Sequence, residues 1–229
     1  MEKRYLRNMK ALSEEDMKKL NESRVCVVGC GGLGGYIIEM LARIGVGHIT
    51  AIDGDVFDET NLNRQLLSNT KNIGLSKAEE AKKRMELVNP HVTIKAIITM
   101  LDESNAVDLL KGHDVVVDAL DNIKSRKLIQ KYSSKLNIPM IHGAIAGFYG
   151  QVTTIYPNDN TLDILYSDDI KTNRGIEKEL GNPSFTPPLI ASIEVAEVIK
   201  VLLNKGKPLR KKVLFVDLLN NSYDVVGFS

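Results

Sequence analysis

Over its first 145 residues the chain alternates short apolar runs with segments whose apolar positions have helical spacing. Apolar runs bounded by glycine or polar residues predict buried strands, and the segments between them predict helices. The run at 114–120 is apolar over most of its length, as expected for a strand covered on both faces of a parallel sheet. The predicted strands are 24–28, 48–52, 92–98, 114–120 and 139–144, and the predicted helices are 33–44, 77–88, 102–110 and 124–136.

The pattern changes after residue 145. The stretch 151–156 alternates between apolar and polar positions, which predicts a half-buried strand, and two more strands are predicted at 212–217 and 223–227. The intervening segment, about 158–185, is rich in Asn, Asp, Gly and Pro, so we expect a crossover loop that is at least partly disordered. A buried helix follows over 187–204, with Thr186 as its N-cap and proline in its first position.

These elements predict an α/β fold: a doubly wound, mainly parallel, Rossmann-like sheet with a C-terminal antiparallel extension. Ser13-Glu-Glu-Asp16 resembles the capping box of a short helix that precedes the first strand. We expect one domain over residues 1–229, divided into an N-terminal arm and helix at 1–22, a nucleotide-binding half at 23–145 and a substrate-side part at 146–229.

A glycine-rich turn, Gly29-Cys-Gly-Gly-Leu-Gly34, follows the first predicted strand and precedes a predicted helix. In this arrangement Gly29 allows a tight turn, Gly31 and Gly32 let the backbone approach a phosphate, and Gly34 permits close helix packing. Backbone amides at the helix N-terminus then face the anion. The motif alone predicts a nucleotide site and does not identify the nucleotide.

Further polar residues are expected at the same edge, because the carboxyl ends of parallel strands meet there. Asp53 ends the second strand, 24 residues after Gly29, where a ribose-binding acid is expected. An NAD-binding protein would need only the glycine loop and such an acid. Arg64 and Lys77 add positive charge, and Asp121 adds a carboxylate that could hold Mg²⁺, so the set favours a triphosphate. The remaining polar residues expected at this edge are Asp55, Asn61, Asn63, Arg64, Gln65, Lys77, Asp121 and Asn122.

The sequence contains no Ser-His-Asp or Cys-His arrangement that would indicate nucleophilic catalysis by the protein. This absence fits adenylation, in which a substrate carboxylate, ionised at neutral pH, attacks the α-phosphate without a general base. We interpret the four histidines as structural. Cys26 is interpreted as a buried apolar side chain, and Cys30 as a small side chain in a tight loop.

Composition and charge bear on the type of protein and on its partners. The chain has 43% hydrophobic and 26% charged residues, which is typical of a globular protein. Its net charge of +1 gives no indication of a nucleic-acid-binding surface, so we expect no nucleic-acid partner. No apolar stretch approaches the roughly 20 residues of a membrane span, and no signal-peptide pattern opens the chain, so we expect a cytoplasmic protein. Two cysteines in one short stretch predict no zinc site.

The combined motifs resemble the ThiF/MoeB/HesA family, the bacterial relatives of ubiquitin-activating enzymes. The resemblance covers nearly the whole chain and is far more specific than a glycine motif alone. Its residues are Arg4-Tyr-Leu-Arg7, Gly29-Cys-Gly-Gly-Leu-Gly34, Asp53-Gly-Asp-Val56, Asn61-Leu-Asn-Arg-Gln65, Lys77, Asp121-Asn122 and Gly147-Phe-Tyr-Gly-Gln151.

The resemblance implies ATP and Mg²⁺ as cofactors, and an adenylyltransferase acting on the C-terminal Gly-Gly of a small ubiquitin-like sulfur carrier in thiamine, molybdopterin or related metabolism. Asp53 would bind the ribose, Gly32 would lie against the nucleotide, and Asp121 would hold Mg²⁺. The resemblance further implies a homodimer, with Arg7 reaching into the partner's site. Phosphate-binding roles fall on Asn61, Arg64 and Lys77.

Two departures from the family pattern matter. Many members carry two Cys-x-x-Cys pairs for zinc and a cysteine in the crossover loop, whereas this sequence has no cysteine after Cys30. A covalent thioester between enzyme and carrier is therefore not predicted, and a separate sulfur donor is expected. Two alternatives stay open: an enzyme resembling tRNA threonylcarbamoyladenosine dehydratases, and a non-catalytic or NAD-type nucleotide-binding protein.

Overall fold

The computed structural model describes residues 2–166 and 177–228. Within these residues eight strands form one sheet. They are β1 (Arg24–Val28), β2 (His48–Ile52), β3 (Thr93–Ile97), β4 (Val115–Asp118), β5 (Met140–Ala146), β6 (Tyr149–Ile155), β7 (Lys212–Asp217) and β8 (Ser222–Gly227).

Helices cover both faces of this sheet. A 3₁₀ turn at Lys3–Asn8 precedes the first helix, and a second 3₁₀ turn spans Glu59–Asn61. The α-helices are α1 (Glu14–Glu22), α2 (Gly32–Ile44), α3 (Lys77–Val88), α4 (Ala106–Leu110), α5 (Ile123–Lys135), α6 (Thr161–Leu165), α7 (Glu177–Leu180) and α8 (Thr186–Leu203).

The strand order is β3-β2-β1-β4-β5-β6-β7-β8, parallel from β3 to β5 and antiparallel from β5 to β8. The chain moves outward from β1 through β2 to β3 and then returns to the other side of β1 to form β4. This reversal creates a crevice between the ends of β1 and β4, where open α/β sheets bind ligands. The predicted fold is confirmed, including the antiparallel extension.

Alternation along β1 shows how the apolar runs become a two-sided core. Val25 and Val27 belong to one buried cluster, which includes α2 and α8, whereas Cys26 and Val28 belong to a second cluster with α5. Successive side chains of a strand point to opposite faces, so an unbroken apolar run is buried on both. The long apolar helix α8 packs against α2 and the central strands, which explains its lack of a polar face.

Three local predictions need correction. The helix predicted from residue 102 begins at Ala106, because Asp102 accepts hydrogen bonds from the backbone of Ser104 and Asn105 in a separate turn. Phe185, not Thr186, occupies the N-cap of α8, and the Thr186 hydroxyl donates instead to the Gly147 carbonyl. The described parts of the predicted crossover loop contain α6 and α7, while residues 167–176 lie outside the described residues.

Candidate active site

The glycine loop joins β1 to α2 by a close backbone approach that side chains would prevent. Gly29 has a φ of +99°, and a Cβ on Gly34 would lie 1.8 Å from the Gly29 carbonyl oxygen. Gly31 occupies the N-cap of α2, and no side chain caps this helix in the described part of the chain. The first backbone amides of α2 are thus available for an anion, as the motif predicts.

Asp53 connects the end of β2 to this loop. Its Oδ2 accepts a hydrogen bond from the Cys30 amide at 2.7 Å, and its Oδ1 accepts one from the Asp55 amide at 2.8 Å. Burial raises the pKa of Asp53, and the two amides oppose that rise. The carboxylate therefore fixes the loop's geometry, and Asp53 lines the cleft beside it.

Lys77 begins α3 and is buried except for 8% of its surface. Its Nζ lies 3.2 Å from Asp55 Oδ2, an ion pair at the cleft. A cation in the first turn of a helix is opposed by the helix dipole, and the Asp55 carboxylate offsets that cost. The ion pair therefore holds the Lys77 ammonium group at the cleft.

The turn that carries the Asn-Leu-Asn-Arg-Gln motif divides into supporting and cleft-lining residues. Asn61 is buried, and its Oδ1 accepts from the Asp58 amide at 3.1 Å, so it shapes the turn. Asn63 accepts from Arg64 Nη1 at 2.8 Å and donates to the Asn182 carbonyl at 3.0 Å. Arg64 and Gln65 line the cleft, whereas Asn61 and Asn63 are not among its lining residues.

Asp121 and Asn122 lie in the turn between β4 and α5, across the crevice from the glycine loop. Asn122 caps α5 by accepting from the Ser125 amide at 2.9 Å, while Asp121 is exposed at the cleft. No group of three or more metal-binding side chains occurs in the part of the chain that the structure describes. A single carboxylate still suits Mg²⁺, which commonly binds one or two carboxylates together with substrate phosphates.

These residues surround a cleft of about 400 Å³. It brings together the predicted glycines Gly29, Gly31 and Gly32 with the predicted polar residues Asp53, Asp55, Arg64, Gln65, Lys77, Asp121 and Asn122. Arg7 lies outside it, exposed on the N-terminal 3₁₀ turn. Within one copy of the chain, Arg7 does not contribute to the cleft.

A buried polar network behind the cleft was not predicted. Asp118 and His142 are fully buried, are paired in register on β4 and β5, and lie 2.7 Å apart between Oδ2 and Nδ1. The Tyr166 hydroxyl accepts from Arg126 Nη1 at 3.0 Å and from Gln151 Nε2 at 2.7 Å. Two polar residues at matching positions of adjacent buried strands were the available signal, but the strand register is needed to recognise it.

Counting donors and acceptors assigns the protons in this network. With two donors on its oxygen, Tyr166 directs its single proton to His142 Nε2, 3.1 Å away, and His142 Nδ1 then donates to Asp118. The imidazole is therefore neutral, in agreement with burial, which lowers the pKa of His142. Arg126 also donates two hydrogen bonds to the Leu120 carbonyl, and Arg126 itself lines the cleft. The network thus supports the turn that carries Asp121.

Comparison with known proteins identifies the family. The model of the ThiF family matches residues 5–228. The chain belongs to the ThiF family. Two relatives are a SAMP-activating enzyme E1 of Haloferax volcanii, 34% identical over 98% of this chain and 84% of its own length, and a molybdopterin-synthase adenylyltransferase of Haemophilus influenzae, 33% identical over 94% and 90%. A third is a sulfur carrier protein adenylyltransferase of Thermus thermophilus, 33% identical over 96% and 84%.

Solved structures show the same fold at lower identity. The structure of Escherichia coli MccB with MccA matches with a TM-score of 0.82 and 22% identity, over all of this chain and 72% of that one. PaaA matches with a TM-score of 0.76 and 21% identity; this chain spans 66% of its length. These matches show that the overall fold is shared. Among the described residues, no helix is both long and apolar enough to cross a membrane.

Proposed function

We propose that this ThiF-family protein is an ATP-dependent adenylyltransferase for the C-terminal Gly-Gly of a small ubiquitin-like sulfur carrier. The observation that carries the proposal is the convergence of the glycine loop with Arg64, Lys77 and Asp121 on one cleft. Relatives named as adenylyltransferases of sulfur carriers and of molybdopterin synthase support it. The pathway would be molybdopterin, thiamine or related sulfur metabolism.

In the proposed reaction a carboxylate oxygen of the carrier attacks the α-phosphorus of ATP. The bond from that phosphorus to the bridging oxygen breaks, pyrophosphate leaves, and the carrier becomes an acyl-adenylate. Because the carboxylate is ionised at neutral pH, no protein group has to remove a proton. Catalysis then rests on positioning and on stabilising the charge of the leaving pyrophosphate.

The roles follow from positions in the cleft. The free amides of α2 receive phosphate oxygens, and Asp53 binds the ribose hydroxyls with its remaining lone pairs. Arg64 and Lys77 neutralise phosphate charge, and Asp121 would hold Mg²⁺, which would further offset the charge of the triphosphate. Asn61 and Asn63 act by holding the turn that presents Arg64.

The assembly proposed is a homodimer in which Arg7 completes the partner's site. Its exposure on the N-terminal 3₁₀ turn, outside its own cleft, supports this arrangement. Both cysteines are buried, Cys26 in β1 and Cys30 in the glycine loop. We therefore assign sulfur transfer to a separate donor.

ATP–pyrophosphate exchange tests the proposal, measured with and without recombinant ubiquitin-fold carriers that end in Gly-Gly. We expect exchange to depend on a carrier and to fall at least about 100-fold in Arg64→Ala and Asp121→Ala, since such groups stabilise developing charge. Lys77→Ala should behave alike, and Lys83→Ala, on the exposed side of the same helix, is its matched control. Full exchange in the cleft variants would contradict the proposal.

A further inference from the structure

Two side-chain amides in the cleft wall lack the hydrogen-bond donors that buried oxygens require. Gln65 Oε1 and Asn182 Oδ1 are shielded from solvent and have no hydrogen-bond partner in the residues the structure describes. Both residues line the cleft, and Gln65 is only 7% exposed. Because an unpaired buried acceptor is costly, it is usually found where a ligand or water supplies the donor.

Hydrogen bonds of Asn182 and of its neighbours fix the segment that carries it. The Gly147 amide donates to the Gly181 carbonyl at 2.7 Å, and the Thr186 hydroxyl donates to the Gly147 carbonyl at 2.6 Å, so the segment 181–186 is tied to the turn between β5 and β6. Asn63 Nδ2 donates a hydrogen bond to the Asn182 carbonyl. The unpaired amide therefore sits on a preorganised segment.

The strand order locates this amide pair within the cleft. Asp53 follows β2, and Thr99 follows β3, so they mark one end, whereas Ile145 of β5 and Asn182 mark the other. The amide of Gln65 lies 3.7 Å from the position that a Cβ on Gly31 would take. Gln65 thus lies beside the phosphate-facing loop, and Asn182 lies at the β5 end of the cleft, away from Asp53.

The missing donors indicate the kind of group that the two amide oxygens would bind. Phosphate oxygens only accept hydrogen bonds, so they cannot satisfy two amide oxygens. An extended peptide offers one N–H group per residue, and two consecutive glycines bring two such donors without side chains that would block the cleft. The carboxylate to be adenylated is attached to the last of them.

We propose that Asn182 and Gln65 accept hydrogen bonds from the main-chain N–H groups of the substrate's two C-terminal residues, and so hold the carboxylate beside the α-phosphate. This inference rests on the proposed function and deepens it. The substrate class it defines is an extended C-terminal peptide with unsubstituted amides. Asn182 is then a substrate-binding residue.

The first test measures KM values in ATP–pyrophosphate exchange, using a recombinant ubiquitin-fold carrier that ends in Gly-Gly. Loss of one hydrogen bond in Asn182→Ala should raise the KM for the carrier about fivefold to tenfold and leave the KM for ATP within about twofold. Ser184→Ala, exposed on the same segment, is the matched control and should change neither.

A second arm changes the substrate instead of the protein. Semisynthetic carriers with N-methylglycine at the last or the penultimate position lack one donor each, and each of them should raise the KM of the unmodified enzyme. In Asn182→Ala, N-methylation of the N–H group that Asn182 binds should raise the carrier KM little further, because that hydrogen bond is already absent. This arm also decides the matter if Asn182→Ala fails to fold.

The outcomes separate the two proposals. Absence of carrier-dependent exchange in the unmodified protein contradicts the proposed function itself. Normal exchange with an unchanged carrier KM in folded Asn182→Ala, or with either N-methylated carrier, overturns only the assignment of the amide pair. A rise confined to the KM for ATP does the same.

Discussion

Glu194 allows a quantitative test of how the centre of the fold is built. Its carboxyl group is fully buried on α8, and neither oxygen has a hydrogen-bond partner within the described residues. It lies so close to β5 that a Cβ on Gly143 would be 2.3 Å from its Cδ. Burial raises the pKa of Glu194 well above its ordinary value, the Asp118 carboxylate raises it further, and the Arg126 guanidinium opposes the rise.

The sign of the pH dependence follows from this raised pKa. Above the ordinary pKa of about 4.3, the unfolded chain releases the proton while the folded protein keeps it, so rising pH favours unfolding. The free energy of unfolding should fall by about 1.4 kcal/mol per pH unit until the folded pKa is reached. Glu194→Gln keeps the shape and removes the titrating proton, so it should lack this contribution.

The assay is urea unfolding of both proteins at several pH values between about 5.5 and about 7.5, where the difference should grow by about 2.7 kcal/mol for a folded pKa above this range. Glu197→Gln is the control on the same helix. Its carboxylate accepts from Thr154 and Leu209 and pairs with Lys200, so its loss should destabilise by about 1–3 kcal/mol at neutral pH. A difference between Glu194→Gln and the unmodified protein that is constant with pH would refute the reasoning.

Three further predictions address the loop and the network. Gly34→Ala should weaken ATP binding, measured by calorimetry, at least about tenfold, because the added Cβ forces α2 away from the loop. The control Gly227→Ala should leave the affinity unchanged, because its Cβ meets nothing within 4 Å. Equal affinities of the two variants for ATP would contradict this prediction. Burial raises the pKa of the Cys30 thiol, which therefore stays protonated and is a poor nucleophile. Cys30→Ala should retain ATP–pyrophosphate exchange within about twofold, and abolished exchange would give the thiol a catalytic role. Tyr166→Phe should lower the free energy of unfolding by about 1–3 kcal/mol, since Arg126 loses an acceptor; unchanged stability would argue against the network.

The pattern of apolar and polar residues predicted strand bounds well and helix starts less well. The strands β1, β2 and β7 have the predicted bounds, because each apolar or alternating run is bounded by polar residues or glycine. The late start of α4 shows the limit: Asp102 accepts from nearby backbone amides and holds a turn that competes with the helix. Thr186 failed as a predicted N-cap because a distant partner, the Gly147 carbonyl, takes its hydroxyl.

The candidate site divides in the same way. Spacing within single motifs was enough to predict that Arg64, Lys77 and Asp121 would converge, since parallel strands end at one edge. Asn182 could not be found that way, because its contact with Asn63 joins residues 119 positions apart. The proton assignments around Tyr166 likewise depend on the pairing of three strands and a following helix, which no local pattern encodes.

ATP–pyrophosphate exchange in the unmodified protein tests the central claim most directly. With a ubiquitin-fold carrier that ends in Gly-Gly, labelled pyrophosphate should enter ATP, and removal of the two glycines should abolish the label's incorporation. Incorporation that is equal with the intact carrier, with the truncated carrier and without any carrier would contradict the claim that this cleft adenylates a C-terminal carboxylate.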